Sequence, residues 1–249
     1  MSNFQFAIDN AKTITIAQQD IHSGTIARTG NVTTGTVVGS RPYQIEVEVA
    51  DFFDAGNDEV KSFCAFIDNN AYVTQESIDI GKTNTGLSYI TGYQGESNST
   101  VLTGLSLSSY GRPGSANTSN QSPPVQVTPS YKYLTLRTHQ NDLPQSSEVL
   151  FAVGDYIQLA NANEKPYQVE SEVKGSDFYG GIGDKYVDVK LNRFYTIYDT
   201  PVPGNTTVNV GSNVEFKVTL INRPSYTILP GGPNNLIQFN EPFQFLEVS

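Results

Sequence analysis

The sequence predicts an all-β fold, an antiparallel sandwich or barrel, on three observations. Polarity alternates almost residue by residue over 13–16, 44–49, 133–136, 186–191 and 214–220, which is the period of strands with one buried face. Phe and Tyr are plentiful at 13 and 14, whereas Trp is absent and Met occurs once. Aromatic and β-branched residues suit pleated, half-buried surfaces. Finally, the alternating runs are separated by Gly, Pro, Asn and Asp clusters at 180–184, 203–205 and 229–235, residues that supply the turn geometry strand reversal needs.

Taken in order, residues 13–16 (Thr-Ile-Thr-Ile) and 44–49 (Gln-Ile-Glu-Val-Glu-Val) are strands by alternation. Residues 57–67 form the best short-helix candidate, around Val60, Phe63 and Phe66. Residues 111–124 combine Gly, Pro, Ser, Asn and Thr with almost no large apolar side chain. They cannot bury enough surface to order themselves, and are read as an interdomain linker or a long exposed loop. Three further strands follow, over 133–136, 186–191 and 214–220.

A repeat cuts across this order. Residues 41–49 (Arg-Pro-Tyr-Gln-Ile-Glu-Val-Glu-Val) return 124 positions later as 165–173 (Lys-Pro-Tyr-Gln-Val-Glu-Ser-Glu-Val), with six of nine positions identical. Duplication of one β domain produces such a pattern, and so does convergence of two short strands that follow a proline. Duplication leads to two similar tandem domains, residues 1–110 and 125–249 joined by 111–124, with the repeats on equivalent strands. At 249 residues each half is long enough to bury its own core.

Charge and composition exclude several classes. Fifteen basic against 25 acidic residues give a net charge of −10, which argues against a protein that grips nucleic acid through its phosphates. It is compatible with one past which DNA must slide. Cys64 is the only cysteine, so no intrachain disulfide can form. No run approaches the 18 or so apolar residues of a membrane-spanning helix, and residues 1–6 lack a signal peptide's basic and apolar regions. A soluble protein made in a cytoplasm, without a membrane span, is expected.

The motif search yields little chemistry. Gly81-Lys82-Thr83 has Glu76 where a phosphate-binding loop needs its first glycine. Gly181-Ile182-Gly183 lacks a third glycine and precedes strand-like sequence. His22 and His139 each stand without a second His or Cys nearby, so no zinc site or Cys/His nucleophile is read. Asp51, Asp54, Asp58 and Glu59 place four carboxylates close together, but not at calcium-loop spacing, and are read as a solvated acidic turn. Asn98-Ser99-Thr100 and Asn205-Thr206-Thr207 match the glycosylation sequon but are set aside without a signal peptide. The expectation is no enzyme, with no catalytic residue, no cofactor-binding residue, no metal ligand and no cofactor.

Three stretches carry a resemblance. Residues 153–159 (Val-Gly-Asp-Tyr-Ile-Gln-Leu), then 166–169 (Pro-Tyr-Gln-Val), then 224–232 with 237–248, resemble the Gly-Asp-aromatic-Ile-Gln step, the following strand and the C-terminal strand pair of distal-tail and baseplate-hub proteins of long-tailed bacteriophages. The opening residues 4–8 with 13–16 are similar to the first hairpin of that family. Asn192-Arg193-Phe194 departs from the family's proline-containing step. The resemblance implies a structural virion protein of the tail (distal tail, tube end or baseplate hub), assembled in the host cytoplasm into a ring around the DNA path. A trimer with pseudo-sixfold symmetry or a hexamer is implied, next to other tail tube and baseplate proteins, with DNA passing unbound. The alternative is a receptor- or glycan-binding β-sandwich adhesion protein, with Tyr89, Tyr93 and Tyr110 stacking on sugar.

Overall fold

The computed structural model describes residues 3–18, 22–26, 32–36, 42–51, 53–69, 74–80, 93–110, 132–160, 165–193, 206–231 and 235–248. The fold is all-β, made of several antiparallel sheets with few helices. No sheet among the described residues closes on itself.

The chain opens on a helix, α1 (Gln5–Asp9), where the resemblance implied the first strand of a hairpin. Phe4, Ala7 and Ile8 are all buried. Their i, i+3, i+4 spacing is that of a helix face, which outweighs the apparent alternation of Phe4-Gln5-Phe6. Gln5 and Asp79 clasp the helix to the later chain: Asp79 N–H donates to Gln5 Oε1 at 2.9 Å, and Gln5 Nε2 donates to Asp79 O at 2.9 Å.

Next come β1 (Ala11–Gln18), β2 (His22–Ile26), β3 (Val32–Thr36), β4 (Tyr43–Val49) and β5 (Phe53–Asp54), then α2 (Asp58–Asn69) and β6 (Gln75–Ile78). The short-helix expectation holds. Asn57 starts α2, its side-chain oxygen accepting from Glu59 N–H at 2.8 Å and its carbonyl from Lys61 N–H at 3.0 Å. Val60, Phe63, Cys64 and Ile67 form the buried face.

From Ser88 to Val214 the chain builds a second unit, grouped with Val38–Ser40. It contains α3 (Ser99–Gly104), β7 (Ser106–Tyr110), β8 (Tyr133–His139), β9 (Val149–Phe151), β10 (Tyr156–Leu159), β11 (Tyr167–Gln168), β12 (Val173–Lys174), β13 (Asp184–Lys190) and β14 (Val208–Val210). Three short sheets, β13-β8-β7, β11-β10-β14 and β12-β9, share one core. Leu107, Leu134, Leu136, Phe151, Ile157 and Val187 lie in it.

The chain then returns to the first unit as β15 (Phe216–Leu220), β16 (Tyr226–Leu229), β17 (Leu236–Phe239) and β18 (Phe243–Glu247). Here the main sheet runs β1-β4-β18-β15-β6, and a smaller one runs β16-β17-β5. Against α2 pack Ile237, Phe53 and Phe239. Phe63 sits 4.5 Å from Phe6, 5.4 Å from Phe243 and 5.8 Å from Phe239, ring centre to ring centre. Such tilted aromatic contacts add to the burial energy itself.

Two expectations about organisation are corrected. The units are nested rather than consecutive: unit 1 is Met1–Val37, Arg41–Leu87 and Glu215–Ser249, so boundaries at 110 and 125 do not separate them. The reason is strand pairing, since β18 pairs with β4 and β15 with β6, drawing the C-terminal strands into the N-terminal sheet. The sequence repeats also differ in structure. The first is the continuous interior strand β4, between β1 and β18. The second splits into the edge strand β11 and part of β12, which pairs with β9. Equivalent strands in duplicated domains are thereby ruled out. The expected C-terminal strand pair forms between β16 and β17, while the rest of 237–248 makes β18, which lies in the main sheet. Residues 111–124 lie outside the described residues.

Candidate functional site

The acidic turn resolves into local chemistry. Asp51 lies 3.7 Å from Lys12 Nζ. Asp54 accepts from Gly56 N–H at 2.7 Å, closing a tight turn. Asp58 and Glu59 occupy the first turn of α2, where negative charge meets the positive end of the helix dipole. Among the described residues no cluster of three or more His, Cys, Asp or Glu could hold a metal ion.

The other singled-out residues fall elsewhere. His139 accepts from Asn141 N–H at 3.3 Å and caps a single 3₁₀ turn. His22 begins β2, and Tyr110 ends β7. Cys64 is buried on α2, where burial, reinforced by Asp68, pushes its thiol up to about 11, so it is protonated at neutral pH and a poor nucleophile. Asn98 accepts from the N–H groups of Thr100 and Val101 at 3.0 and 3.1 Å, which makes the first sequon a helix cap. The segments 81–83 and 203–205, and Tyr89, lie outside the described residues.

Tyr93 is withdrawn from the aromatic face that a glycan site would need. Its hydroxyl donates to Leu150 O at 2.5 Å and accepts from Ser97 N–H at 3.1 Å, and its ring meets Phe151 edge-on at 6.5 Å. It belongs to a strap, residues 93–97, laid along β9. Glu96 N–H donates to Val149 O at 2.7 Å, and Val149 N–H returns a bond to Glu96 Oε2 at 2.9 Å. Gly95 is required in the strap, because a Cβ there would collide with the Tyr93 hydroxyl and the Leu150 carbonyl. Asp155, of the Gly-Asp step, anchors it: Oδ1 accepts from Gln94 N–H at 2.7 Å and Oδ2 from Ala152 N–H at 2.9 Å. Burial raises this carboxyl above its ordinary range, opposed by those backbone bonds.

Arg193, part of the departure from the family step, is also engaged in the interior. It is buried, stacks 5.2 Å from the centre of the Tyr167 ring and donates to Pro166 O. Sequence reading passed over both Asp155 and Arg193 as sites of interest. The signal for Asp155 was its place after Gly154, whose φ of 98° builds the turn that aims the carboxylate inward.

What remains as candidate site is the pair of outer strands of the main sheet, β1 and β6. Among the described residues each pairs on one side only. β1 runs eight residues with Ile14 and Ile16 opposite Val47 and Ile45, while Lys12, Thr13, Thr15 and Ala17 are exposed. A row of backbone donors and acceptors along such an edge is a template for pairing with another chain. On the neighbouring β4, Tyr43, Ile45, Val47 and Val49 are buried, while Glu46 and Glu48 occupy the opposite, polar face. Lys12 Nζ lies 3.3 Å from Glu48 Oε1, and Thr13 donates to Glu48 Oε2 at 3.2 Å.

No helix among the described residues is long and apolar enough to cross a membrane. A scan against protein-family models finds no match, and a search of curated proteins finds none.

Proposed function

We propose that this chain is a structural component of a bacteriophage tail, forming a ring around the DNA path by pairing the main-sheet edges of successive copies, and acting without catalysis or cofactor. The observation that carries the reading is the β1-β4-β18-β15-β6 sheet, whose end strands β1 and β6 each pair on one side only among the described residues. A head-to-tail contact between two different edges repeats by rotation, and closes into a ring when that rotation divides a full turn. All four pairings in the sheet are antiparallel. Five alternating strands therefore leave β1 and β6 running the same way, and a rotational repeat joins them in parallel.

The tail assignment rests on the resemblance at 153–159 and 166–169. The polar face of β4, with Glu46 and Glu48, is then the wall past which DNA slides, since carboxylates repel phosphate over the Debye length of about 8 Å at physiological salt. Other tail tube and baseplate proteins are the neighbours, and the virion is the site of action.

Native mass spectrometry with electron microscopy tests the ring. Three or six copies per ring are expected. Thr15→Lys with Ala17→Lys, both exposed on the β1 edge, should abolish rings without unfolding the monomer, because edge lysines oppose strand addition. A wild-type chain that stays monomeric at every concentration and is absent from assembled tails overturns the reading.

A further inference from the structure

We propose that β16 is a second, separate contact between copies of this chain, in which the open edge of β16 in one copy pairs antiparallel with β16 of another. This goes beyond ring closure, which uses the edges of the main sheet. β16 is the end strand of β16-β17-β5, and among the described residues it pairs only with β17. Its ladder sets Tyr226 against Phe239, Thr227 against Gln238 and Ile228 against Ile237. Beyond the strand end, Asn240 N–H donates to Ser225 O at 2.9 Å, so Ser225 and Asn240 are a bonded pair. Bonded and non-bonded pairs alternate in an antiparallel ladder. Thr227 and Leu229 therefore face β17, and the main-chain groups of Tyr226 and Ile228 point to the open edge.

The side chains agree with an interface. Among the described residues the exposed large apolar side chains are Val153, Ile182, Ile221, Ile228, Leu229 and Leu236, and three of these six belong to the β16–β17 hairpin. Ile228 is 54% exposed, and Leu229 and Leu236, each 37% exposed, form one cross-strand pair. Exposed edges in monomeric proteins are blunted by shortness, proline and charge, and β16 has the first two, four residues between Pro224 and Pro230, but not the third. Here no Asp, Glu, Lys or Arg occurs anywhere from 224 to 240. Depletion of charge around apolar side chains is the compositional mark of an interface centre.

The occupant follows from charge and geometry together. Each copy carries −10, so contact through charged faces brings like charges together, whereas the uncharged hairpin lets two copies meet at least electrostatic cost. A two-fold axis beside Thr227 sets Tyr226 of each copy against Ile228 of the other, satisfying the outward groups of both strands at once. Thr227 then faces Thr227 of the second copy as a non-bonded pair, the closer kind, with Cα atoms about 4.5 Å apart. That separation is within the range a disulfide spans.

The test uses the full chain with Thr227→Cys and, separately, Ile228→Lys. Under mild oxidation Thr227→Cys is expected to give a reducible, covalently linked dimer, whereas the wild type, with Cys64 buried, is not. Ile228→Lys is expected to halve the copy number seen by native mass spectrometry with unchanged circular dichroism and unfolding temperature. Rings that persist in Ile228→Lys, and dimers that persist in the Thr15→Lys, Ala17→Lys chain, separate the two contacts. A dimer lost with Ile228→Lys when no ring ever forms sinks the ring reading and leaves this one standing. A wild-type chain without dimers, a copy number indifferent to Ile228→Lys, or a Thr227→Cys chain that stays unlinked overturns the proposal. So does recovery of a different protein's strand, and not a second copy, cross-linked at residue 227.

Discussion

Asp155 is 1% exposed, and its carboxylate accepts from the backbone N–H groups of Gln94 and Ala152. Replacement by Asn keeps one acceptor oxygen but turns an NH₂ toward a backbone N–H. Leaving one buried donor unsatisfied costs about 1–3 kcal/mol, so Asp155→Asn should destabilise the second unit by about that much at neutral pH. Burial holds the folded Asp155 pKa above the ordinary carboxylate value, so the folded state binds this proton more tightly than the unfolded one. Wild-type stability therefore gains from this group as pH falls through the raised value, while the Asp155→Asn variant has no such response. The gap between the two proteins should widen from pH 7 to about pH 4. Denaturant unfolding at both pH values measures it, and a gap independent of pH would show that burial does not govern this carboxyl.

In the turn before β13, Gly180 and Gly183 are needed for conformation, since both carry positive φ, and Gly181 is not. Gly183 has φ of 101°, with open space around the position a Cβ would take, and Gly181 has the same open space without a positive φ. The turn is held from β8 onward, where Gln140 N–H donates to Gly183 O at 2.9 Å and Gly183 N–H donates to Gln140 Oε1 at 3.1 Å. Gly183→Ala should therefore cost about 1–2 kcal/mol through left-handed backbone strain alone. Gly181→Ala should be neutral or stabilising by up to about 1 kcal/mol, because it restricts only the unfolded chain. Thermal unfolding of the two variants decides, and equal effects would mean that strain at residue 183 is not what the turn demands. The same element leaves Ile182 at the apex 98% exposed, so the apolar residue in this loop serves no core.

At the scale of the whole chain, the ring reading separates two sets of substitutions. Glu46→Lys with Glu48→Lys reverses the polar face of β4 and should slow DNA delivery by particles that still assemble, with the defect relieved at high salt. Glu48→Lys also sets two ammonium groups side by side, the new one and that of Lys12, a like-charge pair whose stability cost is below about 1 kcal/mol. Cys64→Ser, His22→Gln and His139→Gln together remove the only thiol and both imidazoles. They should leave assembly and delivery intact, within the packing cost of a polar atom at buried position 64. Particles of the second set that assemble but fail to deliver would reveal chemistry outside the structural role.

Residue-level periodicity determined the class of this protein. Alternation at 44–49 set a strand with one buried face, and apolar spacing at Val60 and Phe63 made a helix of 58–69. Alternation at 133–136 also marked a strand, but there Thr135 is buried along with Leu134 and Leu136, so the pattern did not specify a single buried face. Tertiary structure decided what periodicity cannot contain. Phe4-Gln5-Phe6 satisfies two periods, and only burial of Phe4, Ala7 and Ile8 together selects the helix. Two similar nine-residue segments became one interior strand and two short pieces, because the partners of a strand lie far away in sequence: β18 and β1 flank the first, whereas β10 and β9 claim the second. That β1, β6 and β16 each pair on one side only among the described residues was invisible for the same reason, since an edge is defined by which strand does not come to pair. Local sequence encodes the faces of elements, and long-range pairing alone assigns their edges.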